Sequence, residues 1–132
     1  MRRKRYALII CLVTLTTMLG AASAGSWLTQ VPGKERARQN PYAGDPLAIQ
    51  AGAKMFQQYC VSCHGKNAEG KGKKPSLQGD RVRGATPGEL QWLLKNGSLI
   101  VGMPSWSRLP EEQRWQIVAY VKNLGSKSLA EK

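Results

Sequence analysis

The sequence predicts a small all-α fold, and three observations lead to that class. Three segments of the 132-residue chain carry apolar residues at helical spacing. Each segment begins with residues typical of helix N-termini, and two of them end at glycine. No alternating or β-branched run of strand length interrupts them. We therefore expect about three to four helices in one small domain.

The first predicted helix begins at Asp45-Pro46, because aspartate is a favoured N-cap and proline suits the first helical position. Its apolar residues recur at helical spacing and comprise Leu47, Ile49, Ala53, Met55, Phe56 and Tyr59. The pattern stops at Cys60. We expect this helix to deliver the cysteine-containing segment that follows.

Two further helices are predicted near the C-terminus. Thr86-Pro87-Gly88-Glu89 has the spacing of a capping box, and the helix it opens is expected to stop at Asn96-Gly97. The last helix is expected to begin at Pro110-Glu111-Glu112, whose carboxylates suit a helix N-terminus, and to end at Gly125. The glycine-rich segment 65–83 and the segment 99–109 are predicted to be loops.

The first 24 residues resemble a secretory signal peptide. Four basic residues precede an apolar run from Tyr6 to Leu19, and Ala22-Ser23-Ala24 suits a cleavage site. The run is shorter than the roughly 20 residues of a typical membrane-spanning helix. We expect a periplasmic protein that contacts the membrane only if the signal is retained as an anchor.

The mature chain divides into three parts by composition. Residues 25–44 contain two prolines and no apolar period, which predicts a flexible basic arm. The folded domain is predicted over residues 45–125, and residues 126–132 are predicted to form a C-terminal tail.

The five residues Cys60-Val61-Ser62-Cys63-His64 have the Cys-x-x-Cys-His spacing of a covalent haem attachment site. Two thiols on about one helical turn can both form thioether bonds to one porphyrin. His64 would then be the proximal ligand, bound to iron through one ring nitrogen while the other donates a hydrogen bond. The motif therefore predicts one covalently bound haem c.

Two other interpretations of the cysteine pair are weaker. Structural zinc usually needs four Cys or His ligands, and this chain has three cysteines, including Cys11 in the signal, and a single histidine. A thioredoxin-like dithiol is expected at a strand-to-helix junction, and no strand pattern precedes Cys60.

The second axial ligand of the iron is predicted to be Met103. With one histidine in the chain, bis-histidine ligation within it is excluded. Met55 lies in the first helix at a spacing that suggests core packing. Met103 stands in Gly102-Met103-Pro104, where glycine permits close approach and proline prevents a helix. The alternative for Met103 is a loop methionine that fills a gap.

The charge of the chain favours an acidic partner. The full chain has a formal charge of +12. Signal cleavage would remove four basic residues, and the mature chain would still be basic. Lysines crowd the stretch after the cysteine motif, at Lys66, Lys71, Lys73 and Lys74. They could steer an acidic redox partner to an exposed haem edge, although a merely solvated surface is the alternative. Nucleic acid is not expected, because aromatic residues are not interleaved with these lysines.

From about Asp45 to Leu124 the chain resembles small class I cytochromes c, near the mono-haem domains of haem-copper oxidase subunits and of periplasmic dehydrogenases. The residues that carry the resemblance are Gly52, Phe56, Cys60-Val61-Ser62-Cys63-His64-Gly65, Gly70, Gly72, Pro75-Ser76-Leu77, Gly102-Met103-Pro104 and Trp115-Gln116-Ile117-Val118-Ala119-Tyr120-Val121. The resemblance implies a small cytochrome c fold, with its helices wrapped around the haem.

The resemblance also implies roles for single residues. The carbonyl matching Pro75 accepts the hydrogen bond of His64, and Leu77 packs on the porphyrin ring. Gly52 and Phe56 match the point where the first helix crosses the last, against Tyr120.

The function expected from these residues is one-electron transfer by a haem with both axial positions filled, without catalytic residues of its own. The resemblance implies a dehydrogenase, a quinol-oxidising complex or a terminal oxidase as redox partners. One alternative is a haem enzyme or gas-binding sensor with an open sixth position. Another is an obligate electron-transfer subunit of a larger oxidoreductase complex.

Overall fold

The computed structural model describes residues 26–130, which form seven α-helices and one 3₁₀ helix. In chain order they are α1 Ser26–Thr29, α2 Gly33–Arg36, α3 Pro46–Tyr59, α4 Val61–His64, α5 Asp80–Gly84, α6 Pro87–Asn96, the 3₁₀ helix Leu99–Val101 and α7 Glu111–Ala130. Within these residues there is no strand, only two isolated β-bridges. The all-α prediction is confirmed, while the predicted signal peptide lies outside the described residues.

The three long helices α3, α6 and α7 are those predicted from periodicity. The Asp45 carboxylate accepts the backbone N–H of Leu47 at 2.9 Å, which caps α3 ahead of Pro46. In α6 the capping box is complete: Glu89 N–H donates to the Thr86 hydroxyl at 3.2 Å, and Thr86 N–H donates to the Glu89 carboxylate at 2.7 Å. Short-range hydrogen bonds therefore fix where these helices begin.

Helices α3 and α7 form the most extensive helix pair in the described chain. Gly52 lies at their crossing, where a Cβ atom would stand 2.0 Å from the carbonyl oxygen of Gln116. Next to it, the fully buried Phe56 ring packs against Tyr120, with ring centroids 5.3 Å apart. The helix crossing implied by the family resemblance is present.

A single apolar cluster joins α5, α6 and α7. Its buried members are Val82, Ala85, Leu90, Leu94, Trp115, Ile117, Val118 and Val121. Partly buried apolar side chains pack against it from the connecting loops, including Leu77, Met103, Trp106 and Leu109. The loops that carry the predicted site residues are thus anchored on the helical core.

The flexible arm predicted over residues 25–44 differs from the structure, in which residues 26–44 fold onto the helices. Val31 is 5% exposed, and Trp27 and Leu28 pack against the apolar cluster. The segment forms α1, α2 and turns, which are too short to produce a helical period in the sequence. The prediction of a flexible arm was therefore wrong for the described part of this segment.

Long-range polar contacts hold this N-terminal segment in place. The Asn40 side-chain amide donates to the carbonyl of Trp115 at 2.9 Å, and Asn40 is 8% exposed. The Arg38 guanidinium lies 5.1 Å from the centroid of the Trp115 ring. A Cβ atom at Gly88 would stand 1.9 Å from the carbonyl oxygen of Glu35, so the segment lies directly on α6. Sequence periodicity cannot report such contacts, because they join distant residues.

Two helix boundaries also differ from the predictions. The short helix α5 lies at the end of the predicted loop 65–83. Helix α7 continues to Ala130 instead of ending at Gly125, so most of the predicted tail 126–132 is helical. A Cβ atom at Gly125 would stand 2.9 Å from Cγ of Arg83. Glycine therefore serves close packing at this position and does not end the helix.

Of the helices in residues 26–130, none is both long enough and apolar enough to span a bilayer.

Candidate haem-binding site

The cysteine motif forms a single helical turn directly after α3. Cys63 N–H and His64 N–H both donate to the carbonyl of Cys60, at 3.2 and 2.9 Å. Both thiols are free and partly buried. The two sulphur atoms and the imidazole are therefore presented by one compact turn, α4, whose start is set by the long helix before it.

The surroundings of Cys60 do not favour dithiol chemistry. Burial, with a smaller contribution from the neighbouring Cys63, raises the pKa of the Cys60 thiol to about 11. Reactive dithiols need the opposite shift, because the thiolate is the nucleophile. Within residues 26–130, no group of three or more His, Cys, Asp or Glu side chains is arranged to hold a metal ion.

The imidazole of His64 is tied to a backbone carbonyl. Its Nδ1 lies 3.0 Å from the carbonyl oxygen of Pro75. With the proton on Nδ1, the ring donates to Pro75, and Nε2 keeps its lone pair for a metal ion. The contact that the family resemblance implied between these two residues is present.

The loop after the motif folds back on His64. Gly70 N–H donates to the carbonyl of His64 at 2.7 Å. The fully buried Ala68 adopts a positive φ of 61° and accepts the backbone N–H of Leu77 at 2.8 Å. Leu77 is half-buried against the apolar cluster. The loop thus carries Pro75 and Leu77 back to the motif.

Met103 lies in a tight turn closed by a β-bridge. Ser98 N–H donates to the carbonyl of Met103 at 2.8 Å, and Met103 N–H donates to the carbonyl of Ser98 at 2.9 Å. Gly102 has a φ of 67° in this turn, which favours glycine. Met103 and Met55 are both half-buried against the apolar cluster. Burial alone therefore does not separate these two methionines.

Two contacts join the Met103 turn to the rest of the site. The Lys74 ammonium donates to the carbonyls of Val101 and Gly102, at 2.9 and 3.4 Å. On the other side, the Trp106 ring packs on Tyr59 at the end of α3, with ring centroids 5.3 Å apart. The turn is thus held by both the loop that carries Pro75 and the helix that carries the motif.

Sequence reasoning missed Trp106 and did not predict the contacts of Lys74. Of the four lysines in the predicted steering cluster, Lys66, Lys71 and Lys73 are exposed, whereas Lys74 is half-buried. Its partners are carbonyls 27 and 28 residues away, and no local signal points to them. For Trp106, the available signal was a large aromatic residue three positions after Met103 in a polar loop.

The residues of this site fit haem c. Two free thiols suit thioether attachment, and an imidazole with Nδ1 already engaged suits a proximal ligand. A thioether sulphur lies in a turn held to the same loop. Half-buried apolar side chains at Leu77, Met103 and Trp106 supply a wall that an added apolar group would complete.

Comparisons with known proteins agree with this assignment. Residues 47–121 match a protein-family model described as cytochrome c oxidase, cbb3-type, subunit III. The cbb3-type cytochrome c oxidase subunit CcoP of Azospirillum brasilense is 32% identical over 94 residues, which cover 65% of this chain and 32% of that protein. This chain therefore spans less than two thirds of the relative.

A solved structure shares the fold. The crystal structure of cytochrome CL from the marine methylotrophic bacterium Methylophaga aminisulfidivorans matches with a TM-score of 0.58 and 25% sequence identity. The match covers 83% of this chain and 73% of that one. The helical arrangement described above is thus that of a known cytochrome.

Proposed function

Because this chain belongs to the cbb3-type subunit III family of c-type cytochrome domains, which bind haem c covalently and transfer electrons, we propose that it is a one-electron carrier with a single haem. Cys60 and Cys63 hold the porphyrin, and His64 and Met103 are the axial ligands. Pro75 orients His64, and Leu77 packs on the ring.

One observation carries this proposal: Nδ1 of His64 lies 3.0 Å from the Pro75 carbonyl oxygen. That contact fixes the imidazole orientation and leaves Nε2 as the only ring nitrogen that can bind iron. Two thiols lie on the same turn, so one short segment supplies the covalent attachment and the proximal ligand.

The bound haem supplies a reversible one-electron iron couple. The chain contributes the ligands, an apolar wall and the turn, closed by a β-bridge, that carries Met103. With both axial positions filled by side chains, the iron has no open position for a substrate or a gas. A methionine ligand also raises the haem potential relative to a nitrogen ligand, which suits a carrier that delivers electrons to a terminal oxidase.

Replacing Met103 with alanine tests this ligand set. The oxidised wild-type haem should be low-spin and show the weak far-red charge-transfer band of sulphur ligation. Met103→Ala should abolish the band and allow added imidazole or cyanide to bind iron. Visible absorption during imidazole titration of the oxidised holoprotein measures both effects.

Met55→Ala is the matched control, because within residues 26–130 Met55 is the other half-buried methionine packed on the same apolar cluster. It should keep the band and the resistance to imidazole. If Met55→Ala lost the band and Met103→Ala kept it, the ligand would be Met55. A wild-type haem that binds cyanide as readily as Met103→Ala would favour the alternative of an enzyme or gas sensor with an open sixth position.

For the partners, we propose a terminal oxidase or another respiratory complex with an acidic docking face. The relative named CcoP is an oxidase subunit, which supports association with such a complex, as a free carrier or as a permanent subunit. The proposed periplasmic location rests on the predicted signal peptide, which the described residues do not include.

The proposed docking face combines charge with apolar surface. Lys66, Lys71 and Lys73 are exposed in the loop after the motif. The 3₁₀ helix Leu99–Val101 is adjacent to this loop, because the Lys74 ammonium contacts the carbonyl of Val101. In this helix the side chains of Leu99 and Ile100 are 93% and 81% exposed. Exposed aliphatic side chains beside lysines suit a partner with an apolar centre and a rim of carboxylates.

Reversing the charge of Lys71 and Lys73 tests the electrostatic part. The double variant to glutamate should slow bimolecular electron transfer to the physiological acceptor by about tenfold at low salt, because steering acts on the association rate. The effect should fade as salt shortens the Debye length to about 8 Å at physiological ionic strength. Stopped-flow kinetics over a series of salt concentrations measures it.

The control reverses Lys34 and Lys127, two exposed lysines on α2 and α7, which gives the same change in net charge. This variant should react nearly as fast as the wild type, and both variants should keep the haem spectrum. If both double variants slowed electron transfer equally, the effect would come from net charge alone, and the loop that carries Lys71 and Lys73 would have no specific role in docking.

A further inference from the structure

A lysine side chain bridges the two loops of the site. The Lys74 ammonium donates to the carbonyl oxygens of Val101 at 2.9 Å and Gly102 at 3.4 Å. These carbonyls belong to the residues directly before Met103. The ammonium therefore contacts the turn within one residue of the proposed sulphur ligand.

The backbone of Lys74 is itself fixed. Lys71 N–H donates to the carbonyl of Lys74 at 3.1 Å, and Lys74 N–H donates to the carbonyl of Lys71 at 3.0 Å. A Cβ atom at Gly70 would stand 2.8 Å from the same Lys74 carbonyl oxygen. The following residue is Pro75, whose carbonyl oxygen lies 3.0 Å from Nδ1 of His64. The loop that orients the imidazole is thus the loop that supplies the ammonium.

The turn that receives the ammonium has few other anchors at its tip. Leu99, Ile100 and Val101 are 93%, 81% and 58% exposed, so apolar packing does not hold them. The bridge between Ser98 and Met103 closes the turn on itself, without tying its tip to another element. A charged donor between the two loops is therefore placed to limit the motion of the turn.

From this geometry we infer that Lys74 is a positioning residue that holds the Met103 turn closed against the loop of Pro75, and is not a member of the steering cluster. The inference rests on the proposed ligation by Met103. While the Lys74 ammonium contacts the carbonyls of Val101 and Gly102, the turn stays closed, and competing ligands do not replace the sulphur at the iron. When this contact is removed, the turn opens more often, and an added ligand can replace the sulphur.

The experiment compares Lys74→Met, Lys74→Arg and Lys73→Met in the holoprotein. Lys74→Met removes the donor and keeps a long side chain, and Lys73→Met removes an equal charge from an exposed neighbour. The imidazole concentration that half-abolishes the far-red band should fall about three- to tenfold in Lys74→Met, given the modest strength of a charged hydrogen bond that is partly open to water. Lys73→Met should match the wild type, and Lys74→Arg should restore most of the resistance.

A second readout does not depend on the axial ligand. Amide hydrogen exchange of Val101, Gly102 and Met103, measured by NMR, should speed up in Lys74→Met and stay unchanged in Lys73→Met. Equal imidazole midpoints for the two methionine variants would overturn the inference, as would unchanged amide exchange in Lys74→Met. Faster amide exchange in Lys74→Met with an unchanged imidazole midpoint would also overturn the inference, because Lys74 would then hold the turn without positioning the sulphur ligand. If the wild type lacks the far-red band altogether, the proposed function fails, and the exchange result alone decides whether Lys74 closes the turn.

Discussion

Replacing Cys60 and Cys63 together with serine is expected to abolish covalent haem. Each thiol can form one thioether bond, so each single variant should keep at most one bond and yield little stable holoprotein. Haem staining after denaturing electrophoresis, together with acid extraction and protein mass, measures attachment directly. The wild-type protein should keep its haem through both treatments.

Loss of haem should also weaken the fold. The described helices are few and mostly short, and small domains bury a limited share of their surface. The half-buried side chains of Leu77, Met103 and Trp106 would then lack the apolar group that completes their packing. We expect the double cysteine variant to unfold with little cooperativity, as seen by circular dichroism during heating.

Ser62→Ala is the control for the cysteine variants. Ser62 is exposed and lies between the two cysteines on α4, so the substitution changes the motif without removing a thiol. It should leave haem attachment and spectrum unchanged. Wild-type haem that is removed by acid extraction would contradict the attachment proposed here, as would cysteine variants that retain covalent haem as well as the wild type does.

The parts of this fold that sequence predicts are those fixed by short-range contacts. Asp45 caps α3 through amides two and three residues away, and Thr86 and Glu89 cap each other. The cysteine motif is equally local, because its spacing reflects one turn of helix. Such signals lie within a few residues of one another, and the sequence displays them directly.

The parts that sequence did not predict depend on distant partners. Asn40 contacts Trp115, and Lys74 contacts Val101, in each case through a backbone carbonyl. Any residue type can present a carbonyl, so the acceptor leaves no trace in the sequence. The order of residues 26–44 and the bridge between the two loops were invisible for this reason.

Glycine shows why one residue type supports opposite predictions. Gly97 ends α6 as predicted and has a φ of 70°. Gly125 lies inside α7, where its missing side chain makes room for Arg83. The sequence alone cannot separate a glycine needed for its backbone angle from one needed for its small size.

Gly52→Ala should strongly destabilise the fold. A Cβ atom at Gly52 would stand 2.0 Å from the carbonyl oxygen of Gln116 and 3.0 Å from Cβ of Tyr120. The first of these atoms is backbone, so no rotamer change can relieve the clash, and α3 and α7 must move apart. Overpacking of this kind costs about 1–3 kcal/mol or more. In a domain of this size, 1 kcal/mol corresponds to roughly 4–8 °C in melting temperature.

Thermal and urea unfolding of the holoprotein measure the effect, and Gly84→Ala is the matched control. A Cβ atom at Gly84 meets nothing within 4 Å, and this glycine ends the short helix α5 without a positive φ. Alanine there should leave stability unchanged or raise it by about 0.4–1 kcal/mol, because it restricts the unfolded chain. Since α3 leads directly into the cysteine motif, Gly52→Ala should also lower the yield of holoprotein, whereas Gly84→Ala should not. Equal unfolding midpoints for the two variants would contradict this close crossing, because a Cβ atom at Gly52 that lay 2.0 Å from the Gln116 carbonyl oxygen could not be accommodated without loss of stability.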